Sequence, residues 1–285
     1  MKTCVSTYSF GEYMGEDRLG LMGVIDKTAE MGFDGIEFVE GGWVNGLDLE
    51  VAKAARAHAE EKGLEVVSYC IGADFINGSN GVLADEVKRL QAQVDFAAAL
   101  GAKNMRHDVA YAVNGKFGIG YDDVLPRLAQ GCREVAAYAE QKGVGTMTEN
   151  HGYFSQDANR VEKLINATAH PNFGALVDVG NFMCADEDPT LSVGIMARYA
   201  KHVHCKDFHY KSGMEIAPGA GWFMTRAGNW LRGAIIGHGE AKVYQSIQTL
   251  RRAGYDGYLS VEFEGMEDKL TGIRLGLENM KRFMA

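Results

Sequence analysis

The chain has 285 residues, 46% of them hydrophobic, and a formal net charge of −9. That is ample for a buried core, and the acidic balance argues against a nucleic-acid partner, whose footprint is normally basic. No apolar run approaches the roughly eighteen residues of a membrane span, and Met1-Lys2-Thr3-Cys4-Val5-Ser6 enters a strand pattern instead of a signal peptide.

Cys4, Cys70, Cys132, Cys184 and Cys205 are odd in number and never in CxxC spacing, so reduced, packed thiols in a cytoplasmic protein are expected. Along the chain one junction recurs: a helical pattern, a glycine, then a short apolar run. It appears at Met31-Gly32-Phe33, Lys62-Gly63-Leu64, Leu100-Gly101-Ala102, Lys142-Gly143-Val144 and Ala253-Gly254-Tyr255. Glycine past a helix end takes the left-handed conformation that caps the last carbonyls, after which the chain turns into a strand. Repetition of that unit means alternating helix and strand, hence a parallel sheet.

Strands are predicted at 3–9, 34–39, 65–71, 103–108, 144–149, 173–178, 201–205 and 258–262, and helices at 84–100, 123–142 and 268–284 among others. Eight such units in this length predict an α/β fold, a single (β/α)8 TIM barrel spanning 1–285. One connection stands apart. The stretch of about 206–240, rich in glycine and aromatics, reads as a long loop over the face where the strands end, serving as a lid or an oligomer contact.

Function is sought at those strand ends. Strands finish on Glu149, Asp178, His204 and Glu262, three carboxylates and one imidazole with no thiolate. That donor set suits a divalent metal, hard ions above all. Arg106, His107 and Asp108 cluster at the end of the fourth strand, and His151 follows Glu149 by two. Either histidine could serve as a base.

Glu149-Asn150-His151-Gly152, Asp178-Val179-Gly180-Asn181, His202-Val203-His204-Cys205-Lys206-Asp207 and Gly254-Tyr255-Asp256-Gly257-Tyr258-Leu259-Ser260-Val261-Glu262 resemble the motif segments of the xylose-isomerase-like TIM barrels. That sugar phosphate isomerase/epimerase group includes ketose 3-epimerases, fructoselysine 3-epimerase and inosose dehydratase. The resemblance implies metal ligands Glu149, Asp178, His204 and Glu262, holding manganese most often, with magnesium, cobalt or zinc as alternatives. It also implies an isomerase or epimerase of ketose-type sugars, in which Glu149 and Glu262 move a proton beside a carbonyl through a metal-stabilised cis-enediolate. Ketose 3-epimerases carry a histidine three residues after the aspartate ligand, where this chain has Asn181, and an arginine soon after the histidine ligand, where the first here is Arg226. The alternative is a lyase performing dehydration or β-elimination on a keto-sugar or inosose, including release of an aglycone from a 3-keto-C-glycoside, with His151 or His107 as base.

Glu37, Lys206, Arg226, Trp222 and His238 are the expected substrate contacts, with Trp43 and Phe75 as further ring-facing candidates and Glu264 as a residue further out than Glu262. The partner is a small sugar or polyol. A homo-oligomer is expected, or a hetero-oligomer under the lyase reading. A nuclease of the same barrel class would need more histidines than the eight present and a basic face, and a catalytically silent barrel would betray itself by a lost ligand.

Overall fold

The computed structural model describes residues 1–41, 43, 46–113 and 119–285. In chain order the elements are β1 (Lys2–Ser6), α1 (Gly20–Met31), β2 (Gly35–Val39), α2 (Leu49–Glu61), β3 (Glu65–Ile71), α3 (Leu83–Leu100), β4 (Asn104–His107), α4 (Tyr121–Gln141), β5 (Gly145–Glu149), α5 (Ala158–Thr168) and β6 (Phe173–Asp178). They continue with α6 (Pro189–Met196), β7 (Ala200–Cys205), β8 (Asp207–Lys211), β9 (Phe223–Met224), β10 (Trp230–Ala234), α7 (Val243–Arg252), β11 (Tyr258–Val261) and α8 (Lys269–Met284). Strands β1 to β7 and β11 pair in parallel and close into a barrel in the order β1-β11-β7-β6-β5-β4-β3-β2. The fold is the TIM barrel expected from the alternating pattern. No helix among the described residues is long and apolar enough to cross a membrane.

Helix α3 shows how the pattern becomes structure. Val87, Leu90, Val94 and Ala97 fall on one buried face, the stripe that three-to-four spacing produces. At its end Gly101 has φ 79°, its N–H bonds to Ala98, and Ala102 bonds back to Ala97. Those contacts satisfy the terminal carbonyls and aim the chain into β4.

Alternation along the strands divides the apolar residues into two cores. The larger lies between strands and helices, whereas Cys70, Met147 and Leu176 form a small separate cluster inside the barrel, with Val39 against it. The residue two positions beyond Met147 is Glu149, and two beyond Leu176 is Asp178. Side chains two apart on a strand share a face, so both carboxylates stack on the inner plug at the C-terminal mouth.

Two expectations are corrected. The first strand stops at Ser6, because β2 and β11 pair with it no further than Ser6 and Val5. Thr7–Met14 instead forms a 3-10 segment, anchored where Val39 N–H donates to Thr7 Oγ1 (2.9 Å) and Ser9 Oγ donates to the Val261 carbonyl (3.2 Å). The expected long loop of about 206–240 contains a three-stranded antiparallel sheet, β8-β10-β9, with Tyr210 opposite Leu231 and Leu231 opposite Phe223. β9 has only two residues, and the glycine-rich stretch between β8 and β10 hides their pairing. It is tied to the barrel mouth by Tyr153 Oη donating to Met224 O (2.8 Å), Thr225 Oγ1 to Asp186 (2.7 Å) and Arg226 N–H to Cys184 O (2.9 Å).

The return from this sheet is organised by Asp207. Its carboxylate accepts N–H bonds from Gly237 (2.8 Å), Gly239 (2.9 Å) and Ala241 (2.9 Å), as well as from Phe208 (2.9 Å). A Cβ at Gly239 would stand 2.4 Å from Asp207 Oδ1, so only glycine passes this close. Buried donors that lose an ionised acceptor cost on the order of 1–3 kcal/mol. Asp207→Ala is therefore expected to lower unfolding stability by about 3 kcal/mol in urea titration, and a change under about 1 kcal/mol would show that the turn holds without its carboxylate.

Candidate active site and metal centre

The inner-face residues at the barrel mouth converge on His204. Its Nδ1 lies 3.2 Å from Glu262 Oε2, 3.7 Å from Asp178 Oδ2 and 3.8 Å from Glu149 Oε1. The donor atoms of Glu149, Asp178, His204 and Glu262 all fall within 4.8 Å of one another, and all four residues are buried. His204 Nδ1 and Asp178 Oδ2 have no hydrogen-bond partner, and Glu262 Oε2 has an ion-pair contact with Lys206 but no aligned hydrogen bond. Buried polar atoms without partners are rare and point to a missing ligand. Three oxygens and one imidazole nitrogen around one point fit a hard divalent cation.

The other side of His204 explains why Nδ1 faces inward. Its Nε2 lies 2.8 Å from Glu37 Oε1, while His202 Nε2 lies 2.9 Å from Glu37 Oε2. A carboxylate that takes the proton-bearing Nε2 leaves Nδ1 with a free lone pair, the arrangement found behind metal-bound histidines. Burial disfavours charge on Glu37, but His204 and His202 outweigh it and hold its carboxyl far below the usual range. Burial likewise opposes a charged His204, yet Glu37 and Glu262 raise its pKa well above the ordinary value, so the site attracts positive charge.

Lys206 supplies some of that charge. Its ammonium lies 2.7 Å from Glu262, 3.4 Å from Asp178 and 3.6 Å from Glu264, and donates to Asn181 Oδ1 at 3.3 Å. Burial pushes its pKa down, but Asp178 and Glu262 win and raise it. Glu264 stands beyond the quartet, receiving Tyr8 Oη at 3.5 Å. On the opposite wall Arg106 donates to Glu149 Oε2 through Nε (2.6 Å) and a terminal nitrogen, and Asn181 Nδ2 donates to Oε1 (2.9 Å). Next to this pair, His151 Nδ1 lies 3.0 Å from Asp108 Oδ1, and Tyr111 Oη donates to Asp108 Oδ2 at 2.8 Å. Burial works against a protonated His151, but the bond to Asp108 and its charge raise the pKa overall.

Arg106, Asp108, Glu149, His151, His204, Lys206 and Glu262 line one cavity of about 400 Å³, together with Tyr8 and Tyr111. An adjoining chamber of about 370 Å³ continues past His151, Lys206 and Tyr8 to Gly221, Phe223 and Gly233 of the antiparallel sheet and its approach.

Other expected site residues lie elsewhere. His107 points outward, because Arg106 takes the inner face and neighbours on a strand alternate. Its ring lies edge-on to Phe75 and stacked on Phe173, both at 5.8 Å, with Nδ1 2.8 Å from the Asp108 carbonyl, so neither His107 nor Phe75 reaches the cavity. Glu37 is fully buried beneath His204 and supports it rather than meeting substrate. Arg226 binds Asp157 (3.1 Å) and the Tyr153 carbonyl, Trp222 lies under Arg232 (5.6 Å to the ring), and His238 is exposed on the turn that wraps Asp207. None of these three lines the cavity. Trp43 packs against Phe38 and Phe96 beside it. Sequence reasoning missed Tyr8 and Tyr111, and it missed His202, whose position two before His204 was a usable signal.

Residues 25–283 match the family model described as the xylose isomerase-like TIM barrel, and the chain belongs to that family. It is 26% identical to an inosose dehydratase of Clostridium perfringens (strain 13 / Type A) over 249 residues, covering 83% of this chain and 80% of that protein. The fold superposes on L-ribulose 3-epimerase with TM-score 0.74 at 17% identity, over 99% of this chain and 94% of that one. It also superposes on a xylose isomerase-like TIM barrel protein from Mycobacterium smegmatis in complex with magnesium, with TM-score 0.72 at 16% identity, over 100% and 98% of the chains.

Two measurements follow. Support residues behind metal ligands typically govern affinity by about 10–100-fold, so Glu37→Gln is expected to weaken manganese binding by that factor in calorimetric titration; unchanged affinity would remove the carboxylate from any supporting role. His107 is predicted to behave as a core residue. Burial depresses its pKa from 6.5 to about 4, so as pH falls the unfolded chain takes up the proton first. Its contribution is complete above pH 6.5 and is lost toward pH 4, by on the order of 3 kcal/mol. His107→Gln should flatten urea stability between those limits, and an unaltered pH slope would contradict this.

Proposed function

We propose that this protein is a metal-assisted lyase that removes a proton beside the carbonyl of a keto-polyol and expels a β-substituent, dehydration being the simplest case. One contrast at the site carries the reading. Glu149 has Oε2 taken by two nitrogens of Arg106, and Oε1, which accepts from Asn181, keeps one lone pair that faces His204 Nδ1 and the proposed metal position, so none is left for a substrate proton. His151, by contrast, has Nδ1 fixed by Asp108 and lines both chambers of the cavity. An imidazole oriented by a carboxylate through one nitrogen offers the other as a base.

A divalent cation held by Glu149, Asp178, His204 and Glu262 would supply Lewis-acid polarisation of a substrate carbonyl; manganese is the ion proposed, with magnesium, cobalt or zinc fitting the same three-oxygen, one-nitrogen set. The chain does the rest. His151 takes the carbon-bound proton, and Asp108, itself held by Tyr111, balances the charge the imidazole gains. Arg106 holds Glu149 in place as a ligand. Lys206, among Glu262, Asp178 and Asn181, is the donor that faces a departing oxygen. The similarity to an inosose dehydratase supports a cyclic keto-polyol as the substrate class.

A second reading is an epimerase in which Glu149 and Glu262 exchange the proton. It is favoured by both carboxylates lying close to His204 Nδ1, at 3.8 and 3.2 Å. In deuterium oxide, elimination from an inosose would give an unsaturated or diketone product, whereas epimerisation would return labelled sugar of unchanged composition. Under the lyase reading His151→Gln and Asp108→Asn lose about 10²–10⁴-fold in kcat while metal content stays stoichiometric. Full activity in both variants, with loss in Glu149→Asp instead, would favour the epimerase.

A further inference from the structure

Beneath the quartet at the barrel mouth a second group of donors converges, and its chemistry differs. Glu37, Cys70 and His204 each offer a donor atom, these atoms all lie within 4.8 Å of one another, and all three residues are buried. His202 stands beside them, its Nε2 2.9 Å from Glu37 Oε2 and its ring edge-on to His204 at 5.6 Å between centroids.

Packing alone does not account for this group. Cys70 belongs to the inner plug, yet its sulfur turns to polar company, lying 3.7 Å from Ser68 Oγ. Glu37 Oε2 and both ring nitrogens of His202 are buried and have no aligned hydrogen bond, which again points to a missing ligand. Cys70 and His204 both line the catalytic cavity, so an ion in the cavity has a way in.

The donor chemistry names the occupant. The quartet has no thiolate and suits a hard ion, whereas the inner group adds a thiolate to imidazole and carboxylate, the mixture that zinc and softer divalent ions take. His204 belongs to both groups, with Nδ1 facing the quartet and Nε2 facing Glu37. A neutral imidazole has one lone pair and one N–H, so it serves one position at a time.

We propose that Glu37, Cys70 and His204 form a second, inner cation position for a thiophilic divalent ion of the zinc class, which antagonises the metal of the quartet through the imidazole they share. Entry of the ion forms bonds to the Cys70 sulfur and to His204 Nε2. The thiol proton leaves to solvent, and the proton on Nε2 moves to Nδ1, where it blocks the lone pair that the quartet uses. The inner position adds regulation to the proposed function and rests on it only for the ion that is opposed.

The test titrates cadmium, a spectroscopically visible ion of that class, into manganese-loaded and metal-free protein, with Cys70→Ser and Cys70→Ala beside the native chain. A cadmium–thiolate bond gives an ultraviolet charge-transfer band, and released manganese gives the electron paramagnetic resonance signal of the free ion. Native protein is expected to gain the band and to release manganese in proportion to it. Both variants should bind manganese as the native chain does, which also shows that they fold. They should lose the band and keep manganese at cadmium concentrations that empty the native site. Absence of the band in native protein, a band that survives both substitutions, or a band that grows while manganese stays bound would each overturn the proposal. So would equal manganese release from native and variant chains. The two readings fail separately. Protein that takes up no manganese loses the proposed cofactor, yet its metal-free form still reports the Cys70 band, and manganese binding without the band does the reverse.

Discussion

Negative charge buried at one end of the barrel is the constraint on which the rest of this structure depends. Glu37, Asp108, Glu149, Asp178 and Glu262 are all removed from water, and a buried carboxylate is tolerated only when it is paired and hydrogen-bonded. Each has its own answer. Glu37 is held by two histidines, Glu149 by Arg106 and Asn181, Asp108 by His151 and Tyr111, Asp178 by the Asn181 N–H and Lys206, and Glu262 by Lys206. The atoms left over are those facing His204 Nδ1. A surplus of acceptors around one point is what a cation would complete, so the electrostatic problem and the proposed cofactor are the same observation.

Parallel-strand geometry makes this concentration possible. Every barrel strand ends at the same face, and alternation sends every second residue inward. The plug of Cys70, Met147 and Leu176 fills the interior below, so inward residues one step higher are held at the mouth instead of collapsing into a pore. That geometry was legible in the chain. Glycine after five of the helices marked where strands begin, and the residues ending the strands gave the quartet. The same rule, applied to β4 and β7, would have sent Arg106 inward and His107 outward and would have picked out His202. His107 attracted a functional reading because a histidine near an aspartate looks reactive, although alternation alone places it under Phe75 and Phe173.

What was not legible depends on contacts distant in sequence. Nothing local marks Glu37 as the partner of a histidine 167 residues away. The antiparallel sheet was read as a loop because β9 has two residues and β8 and β10 are separated by a long glycine-rich stretch. Its registration comes from Tyr153, Asp186 and Cys184 on the loops after β5 and β6. Arg226 and Trp222 were read as substrate contacts from their place in that stretch, yet the structure spends them on Asp157 and Arg232 in holding the sheet.

The pairing of Arg106 with Glu149 links the architecture to the choice of reaction. A carboxylate that serves both as ligand and as base must release a lone pair toward substrate, and this one faces two guanidinium nitrogens and an amide. In the proposed reaction the proton-transfer burden moves two residues along, to His151, whose carboxylate partner Asp108 directly follows the strand that carries Arg106. Arg106 thus touches both options, gripping Glu149 closely and lying 3.5 Å from Asp108. In the proposed lyase it is this shift in who holds whom, with the proposed ligands unchanged, that favours expulsion of a substituent over return of the proton.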